Sequence, residues 1–389
     1  MLLSGGRLWG AVAGLSVDQL VAWGILYYAY TVLSAPVALD LGVSRLQMAA
    51  AFSGCLLVAG WVGQFLGPFL DVYGTRYALR AGAIVAPLAF AAVALVDGMV
   101  SLVVAFALLG VAQALSLYEP AFRAIVDWCP DERERSRATL GLTLVGGFAS
   151  AVFLPFTSWL LAHHGWRQVV LVLAGVLTLV LVPTRLLLPL TSRGHVQHRT
   201  SHAPVAPSVR RLAAGLALQS LASTGVFLYL MWQLVEQGEP VVAAAAVAGL
   251  AGAAQVPGRL LYGPLRRFVG GESLLPLLLG VQAAALLGIA LTRGALALAC
   301  ILLFGAANGM MTLERATVLV GWYGRATFGA HQGHLVAATG MARALSPFVV
   351  ELGHAVVSYA VVFGLLGAVL TLGAWACSSA ASLRAQDAG

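Results

Sequence analysis

Twelve apolar runs, each long enough to cross a lipid bilayer, constrain this chain more than any other feature of its sequence. A helix needs about 20 consecutive apolar residues to cross the hydrocarbon layer of a bilayer. Lipid offers no hydrogen-bond partners to an open backbone, so each run is expected to form a helix. The sequence therefore predicts an all-α integral membrane protein with twelve transmembrane helices, near residues 9–34, 46–70, 77–96, 99–124, 138–162, 166–188, 212–235, 241–265, 274–292, 295–318, 330–352 and 357–379.

The charged residues are few, and all the basic ones are Arg, which excludes several classes of protein. Only 10% of the residues are charged, whereas a soluble domain carries about a quarter. All 22 basic residues are Arg, so the chain lacks the Lys of a GxxxxGK[ST] phosphate-binding loop. The formal charge of +7 is not gathered into a basic stripe, and the four Cys form no CxxC pair. We expect no nucleic-acid partner, no metal site and no cofactor.

The distribution of Arg among the loops predicts the orientation in the membrane. If the N-terminus is cytoplasmic, most loop arginines, Arg185 among them, lie on the cytoplasmic side. Only Arg45, Arg167 and Arg293 then lie outside. Cytoplasmic loops of membrane proteins carry such an excess of basic residues. We expect a multi-pass protein of the cytoplasmic (inner) membrane with both termini in the cytoplasm.

The longest polar segment divides the chain into two parts of six helices each. Residues 190–211 are expected to form a cytoplasmic linker between an N-terminal bundle, 1–189, and a C-terminal bundle, 212–389. Because each bundle has an even number of helices, both bundles have the same orientation in the membrane.

The two bundles repeat one sequence pattern. Three intervals of the first half align without gaps on the second: GLSVDQLVAWGILYY (14–28) on GLALQSLASTGVFLY (215–229), GPFLDVYG (67–74) on GPLRRFVG (263–270), and Gly110 to Glu119 on Gly305 to Glu314. Repeats of equal orientation can be related by an axis along the membrane normal, as in transporters that bind substrate between the halves. The pattern predicts two pseudo-symmetric bundles around a central cavity.

Polar side chains inside apolar helices indicate candidate substrate ligands. Such residues are costly in a bilayer and usually face a bundle interior or a water-filled cavity. We predict substrate binding at these positions: Asp18, Gln19, Gln113, Gln219, Arg259, Asn308 and Arg343. Tyr28 and Tyr229 are predicted to form a wall of the same cavity, and the alternative is that they belong to an interfacial aromatic belt.

The polar break GQFLGPFLDVYGTR resembles the signature loop between the second and third helices of the major facilitator superfamily. Four residues occupy the core of that Gly-x-Leu-x-Asp-Arg-x-Gly-Arg-type pattern: Gly67, Asp71, Gly74 and Arg76. Val72 replaces the Arg that usually follows the Asp. The resemblance covers the whole chain and implies that superfamily's fold, with Asp71 in an inner gate. Glycines in such a loop allow close helix approach and a tight turn.

Two acid–base pairs are predicted to extend this gate. Glu119 and Arg123 are four residues apart on one helix face, and Glu314 is adjacent to Arg315. At 1.5 Å per residue, these pairs fall near the cytoplasmic ends of their helices. We predict a gating or scaffold network with Asp71, and a substrate or proton site is the alternative.

Arg343 is predicted to lie near the bilayer midplane, about 20 Å into its helix. Together with Arg259 it resembles the cationic side chains on helices 8 and 11 of monocarboxylate and oxalate carriers of the superfamily. Guanidinium groups suit bidentate capture of a carboxylate. The alternative is an internal ion pair, such as Arg343 with Asp18. A buried Asp18 could instead bind a proton, because burial raises the proton affinity of a carboxylate.

These observations predict a transporter and not an enzyme. We expect a permease that moves a small organic solute, preferably an organic anion such as a monocarboxylate, by alternating access and in symport with protons. The alternatives are efflux of an amphipathic compound and a receptor that kept the fold without transport.

Overall fold

The computed structural model describes residues 5–129, 131–189, 206–323 and 328–387. Twelve helices in these ranges are long and apolar enough to cross a membrane, and the described residues form no strand. The predicted all-helical fold with twelve spans is therefore confirmed. Most of the predicted linker, residues 190–205, lies outside the described part.

The chain forms two compact units, Met1–Gln197 and His198–Gly389. The helices of the N-terminal unit are α1 Gly6–Leu41, α2 Arg45–Tyr73, α3 Thr75–Leu95, α4 Met99–Trp128, α5 Glu132–His163 and α6 Trp166–Leu187. The helices of the C-terminal unit are α7 Pro207–Glu236, α8 Val241–Val269, α9 Gly271–Leu291, α10 Gly294–Tyr323, α11 Phe328–His354 and α12 Tyr359–Asp387.

Local sequence signals explain several helix ends. Gly42 ends α1 with φ 62°, a left-handed conformation that glycine adopts without strain. Ser44 and Gln47 then start α2 with a reciprocal capping box. Pro207 occupies the first turn of α7, where its missing N–H costs nothing. α7 begins five residues before residue 212, where its start was predicted. Its first two turns include the polar residues Arg210 and Arg211.

The aligned glycines of the two units perform the same structural tasks. Gly74 and Gly270 have φ 73° and 82°, and each joins the second helix of its unit to the third. A side chain is strained in that conformation, so the turn requires glycine. The tight turn predicted for the signature loop is thus present in both units.

Close helix contact depends on a second aligned pair. A Cβ at Gly110 of α4 would overlap the Cys55 carbonyl of α2, and a Cβ at Gly305 of α10 would overlap the Ala251 carbonyl of α8. These glycines let the two helix backbones touch. At Gly67 the predicted close approach was wrong, since a Cβ there would meet no atom within 4 Å.

Two helices of the N-terminal unit are interrupted beside candidate site residues. α1 contains one π-helical turn, Gly24–Tyr28, and α4 is divided at Leu117 into Met99–Ser116 and Tyr118–Trp128. Such π segments release a backbone group from its regular bond and occur frequently at functional sites.

Candidate functional site

The most deeply buried charges of the N-terminal unit are Asp18 on α1 and Arg185 on α6. Both side chains are fully buried. Arg185 Nε donates to Asp18 Oδ2 at 2.8 Å, and its Nη2 donates to Asp18 Oδ1 at 3.0 Å. This paired, planar geometry is the strongest that an Arg and a carboxylate form. Asp18 is thus paired with a cation of its own unit. That cation, Arg185, was expected from the sequence to lie in a cytoplasmic loop.

The remaining donors of Arg185 bind the backbone around α4. Its guanidinium donates to the Leu79 carbonyl and to both the hydroxyl and the carbonyl of Ser116, at 3.1–3.2 Å. A Cβ at Gly82 would lie 2.5 Å from Arg185 Nη1, so this glycine makes room for the guanidinium. Gln19 Nε2 also donates to the Ser116 carbonyl, at 2.8 Å. The cluster joins α1, α3, α4 and α6 inside one unit.

Gln113 and Asn308 are aligned in the two repeats, and each bonds to the first helix of its own unit, through partners that are not aligned. Gln113 Nε2 of α4 donates to the Leu26 carbonyl in the π turn of α1 at 2.7 Å. Asn308 Oδ1 of α10 accepts from Gln219 Nε2 of α7 at 3.0 Å. Buried polar groups are hydrogen-bonded in folded proteins, and helices in membranes find these partners on neighbouring helices. As substrate ligands, these residues remain predictions, together with Asp18 and Gln19.

The C-terminal unit contains a cationic cluster centred on Arg315 of α10. Its Nη1 donates to Ser220 Oγ of α7 at 3.5 Å, and its Nη2 donates to Thr339 Oγ1 of α11. Arg343 follows Thr339 by one helical turn on the same face of α11. Among the residues that the structure describes, no carboxylate oxygen lies within 4.0 Å of either guanidinium. We call Ser220, Arg315, Thr339 and Arg343 the cationic cluster.

The two arginines predicted to bind substrate differ in exposure. Arg343 is exposed, whereas Arg259 of α8 is only 7% exposed, and its Nη2 donates to Gln255 Oε1 at 3.2 Å. Asp18 is paired with Arg185, which binds both of its carboxylate oxygens, and not with Arg343 as the alternative proposed.

The two tyrosines predicted for a cavity wall also differ. Tyr28 is half-buried, and its ring stands edge-on to Tyr27 with centroids 5.1 Å apart. Tyr229 is 2% exposed, stacks on Tyr359 and donates its hydroxyl to the Pro347 carbonyl at 3.3 Å. Packing of this kind makes Tyr229 part of the core of its unit.

The signature loop forms an ion pair within the N-terminal unit. Arg123 Nη1 of α4 lies 2.8 Å from Asp71 Oδ1 at the end of α2, and Arg123 Nε lies 3.5 Å from Asp127 Oδ1. The predicted pairing of Glu119 with Arg123 was therefore wrong. Arg123 turns to Asp71 and Asp127, the second of which is one turn further along the helix. Arg76 is exposed at the start of α3.

Glu314, the repeat partner of Glu119, is fully buried beside α8. Tyr262 donates its hydroxyl to Glu314 Oε2 at 2.7 Å, and Arg266 Nε lies 3.8 Å from the same oxygen. Its neighbour Arg315 turns away to Ser220 and Thr339. The prediction that adjacent Glu314 and Arg315 act together is not supported by these contacts, because consecutive residues on a helix point in different directions.

Sequence reasoning missed several residues of these clusters. Arg185 lies in the last turn of an apolar helix, so the sequence alone suggests that it belongs to the following loop. The only available signal was Asp18, because a carboxylate inside an apolar helix requires a buried partner. The hydroxyls of Ser116, Ser220, Tyr262 and Thr339 carry no signal in the sequence, because such residues occur throughout apolar helices.

The profile described as Major Facilitator Superfamily matches residues 19–313. A mutant of the nucleoside transporter NupG is similar in structure, with a TM-score of 0.75 and 14% identity, covering 96% of this chain and 99% of that one. A bacterial homologue of the human lysosomal transporter Spinster, inward-facing and unoccupied, has a TM-score of 0.68 and 16% identity, covering 99% of this chain and 96% of that one. Among curated proteins, no sequence matches this chain significantly.

Proposed function

Because the chain belongs to the major facilitator superfamily, we propose that it is a permease that carries a small organic anion, such as a monocarboxylate, across the cytoplasmic membrane by alternating access. Transport is inward and in symport with protons. Both termini lie in the cytoplasm. Its partners are the organic solute, which is the substrate, and the lipid bilayer in which the helices lie.

The observation that supports an anionic substrate is the cationic cluster of the C-terminal unit. Arg315 and Arg343 carry two positive charges without a carboxylate in ion-pairing distance among the described residues. Arg315 is partly buried, where a charge is costly unless it is paired, whereas Arg343 is exposed. A bound carboxylate would supply that pairing and accept parallel bonds from a guanidinium.

The neighbouring hydroxyls suit the same substrate. Ser220 and Thr339 already bind the Arg315 guanidinium and so fix its orientation. A preorganised cation loses less conformational entropy when it binds a ligand. Arg259 is a second candidate ligand, because it adds positive charge on α8 of the same unit.

The signature loop is proposed as the gate. Asp71 and Arg123 join the ends of α2 and α4 through an ion pair that is partly exposed, with side-chain exposures of 32% and 13%. Gly74 provides the turn that follows. Ion pairs near water are weak and can exchange partners during a conformational change. Gly67 and Arg76 complete the proposed gate.

The substrate class is tested by transport in proteoliposomes. The probes are radiolabelled acetate, lactate, pyruvate and oxalate, with a nucleoside as an uncharged comparison, since one structural relative is a nucleoside transporter. We expect an imposed pH gradient, acidic outside, to drive uptake of at least one anion. Arg315→Gln and Arg343→Gln should raise KM for that anion. Arg45→Gln, at an exposed site in the other unit, is the control and should leave KM unchanged.

Other outcomes assign the other functions. Thermal-shift stabilisation by an anion without any flux would indicate a receptor, because a ligand stabilises whatever native state it binds. Extrusion of an amphipathic compound with no anion uptake would indicate an efflux pump. Unchanged KM in both Arg variants would remove the cationic cluster from the substrate site.

A further inference from the structure

The third helix of the N-terminal unit has a packed face and a separate ridge that is largely exposed. On the packed face, Arg185 donates to the Leu79 carbonyl and lies against Gly82, so that face is directed to the interior of the unit. Residues at intervals of four form a ridge along a helix. One such ridge of α3 consists of two cations followed by two apolar residues, and we call it the α3 ridge: Arg76, Arg80, Ile84 and Leu88. Arg80 is half-buried, and the other three are exposed.

The two arginines of the α3 ridge have no carboxylate partner in the part of the chain that the structure describes. No carboxylate oxygen there lies within 4.0 Å of either guanidinium. The nearest acid in the sequence, Asp71, is paired with Arg123. The Nε of Arg80 is buried and has no hydrogen-bond partner among the described residues. Because like charges one helical turn apart repel each other, an anion beside both guanidinium groups is favoured.

The α3 ridge has the position and the length of one phospholipid. Arg76 and Arg80 lie in the first two turns of a helix that is long and apolar enough to cross a membrane. Two exposed tyrosines, Tyr73 and Tyr77, lie on either side of Arg76 in the chain, and such residues are enriched at the level of the lipid headgroups. From Arg76 to Leu88 the helix rises about 18 Å, and the hydrocarbon of one leaflet is about 15 Å thick.

The aligned segment of the other unit lacks these cations. The alignment of GPFLDVYG on GPLRRFVG pairs Arg76 with Glu272, and Arg80 with Pro276. The turn before the helix is nevertheless the same in both units, with a glycine at positive φ. The turn and the helix therefore form without the two arginines, whose charge is available for another role.

We propose that the α3 ridge binds one anionic phospholipid, with the phosphate on Arg76 and Arg80 and an acyl chain along Ile84 and Leu88. Guanidinium groups donate paired hydrogen bonds to phosphate oxygens. Anionic lipids give the cytoplasmic leaflet its negative surface potential, and the proposed orientation places the start of α3 on that side. This inference goes beyond the proposed function and does not depend on the transported solute.

Native mass spectrometry of the purified, delipidated protein tests the headgroup. Phosphatidylglycerol and phosphatidylcholine with identical acyl chains compete at equal concentration. We expect the wild-type protein to retain one phosphatidylglycerol in preference, because the choline group of the other lipid carries a positive charge. Equal retention of the two lipids overturns the proposal, and this comparison needs no variant.

A soluble competitor separates a lipid site from a phosphate site. Glycerol 3-phosphate carries the phosphate without acyl chains, so it should not displace phosphatidylglycerol when both are present at equal concentration. Displacement of the lipid by this compound shows that the arginines bind free phosphate, and it overturns the proposed lipid site.

Paired substitutions test the two arginines. Each should contribute roughly fivefold to the affinity for phosphatidylglycerol, so Arg76→Gln combined with Arg80→Gln should weaken binding by about 25-fold. The matched control is Arg133→Gln combined with Arg137→Gln, an exposed pair at the same spacing on α5 with Glu134 between them. The control removes the same charge and should keep the wild-type affinity. Equal losses in the two double variants would assign binding to net charge alone and contradict the proposal.

Thermal unfolding verifies that the variants are folded and gives a second readout. A lipid that binds the native protein raises its Tm. Phosphatidylglycerol should therefore raise the Tm of the wild type more than phosphatidylcholine does, and the variant without Arg76 and Arg80 should lose this difference. Arg80→Lys keeps the charge without the paired hydrogen bonds, so its affinity should lie between those of the wild type and of that double variant. If Arg80→Lys binds no better than the double variant, the positive charge is not the basis of binding, and the proposal fails.

Discussion

Removing Arg185 should destabilise the protein far more than removing any exposed cation. In Arg185→Met, all five hydrogen bonds of the guanidinium are lost, and Asp18 is left as an uncompensated buried anion. Breaking a buried ion pair from one side costs about 3–5 kcal/mol. For a unit of this size, that corresponds to a fall in Tm of about 6–20 °C.

The assay is thermal unfolding of the purified protein in detergent, followed by fluorescence and by size exclusion. Asp40→Asn is the control. It breaks the pair of Asp40 with Arg167, whose side chains are 44% and 45% exposed, and it should cost less than about 1 kcal/mol.

A double-mutant cycle tests the mechanism of this loss. Asp18→Leu combined with Arg185→Met removes both charges, so the double variant should be more stable than Arg185→Met alone. Coupling energies between residues in contact are about 0.5–3 kcal/mol. If the two substitutions add without coupling, the loss comes from altered packing, and the ion-pair argument is refuted.

Two further predictions concern the repeats and the gate. Gly110→Val and Gly305→Val should each abolish the monodisperse size-exclusion peak, because the added side chain overlaps a carbonyl of the facing helix, whereas Gly67→Ala and Gly263→Ala point into open space and should keep it. Asp71→Asn should lower stability by less than about 1 kcal/mol, since the pair with Arg123 is partly exposed, but it should slow transport in proteoliposomes; a variant with unchanged transport would remove Asp71 from the gate.

The number and type of helices could be predicted from the sequence because membrane-spanning length is a property of local composition. The duplication could also be predicted, since Gly110 and Gly305 keep their spacing to Glu119 and Glu314. The pairing of individual side chains could not be predicted from the sequence. Asp18 and Arg185 are 167 residues apart in the chain, and no local pattern connects them. The same limit explains the wrong pairing of Glu119 with Arg123, because helical spacing permits a contact without selecting it over a competing carboxylate.

The repeat becomes informative where its two copies differ. Gln113 and Asn308 are aligned and join equivalent helices, but through different partners, a backbone carbonyl and a side-chain amide. Glu119 and Glu314 keep their identity but not their partners, since the residues aligned with Tyr262 and Arg266 are Leu66 and Leu70. In the C-terminal unit, Arg315 stands where the alignment has Pro120, so its positive charge has no counterpart in the other copy.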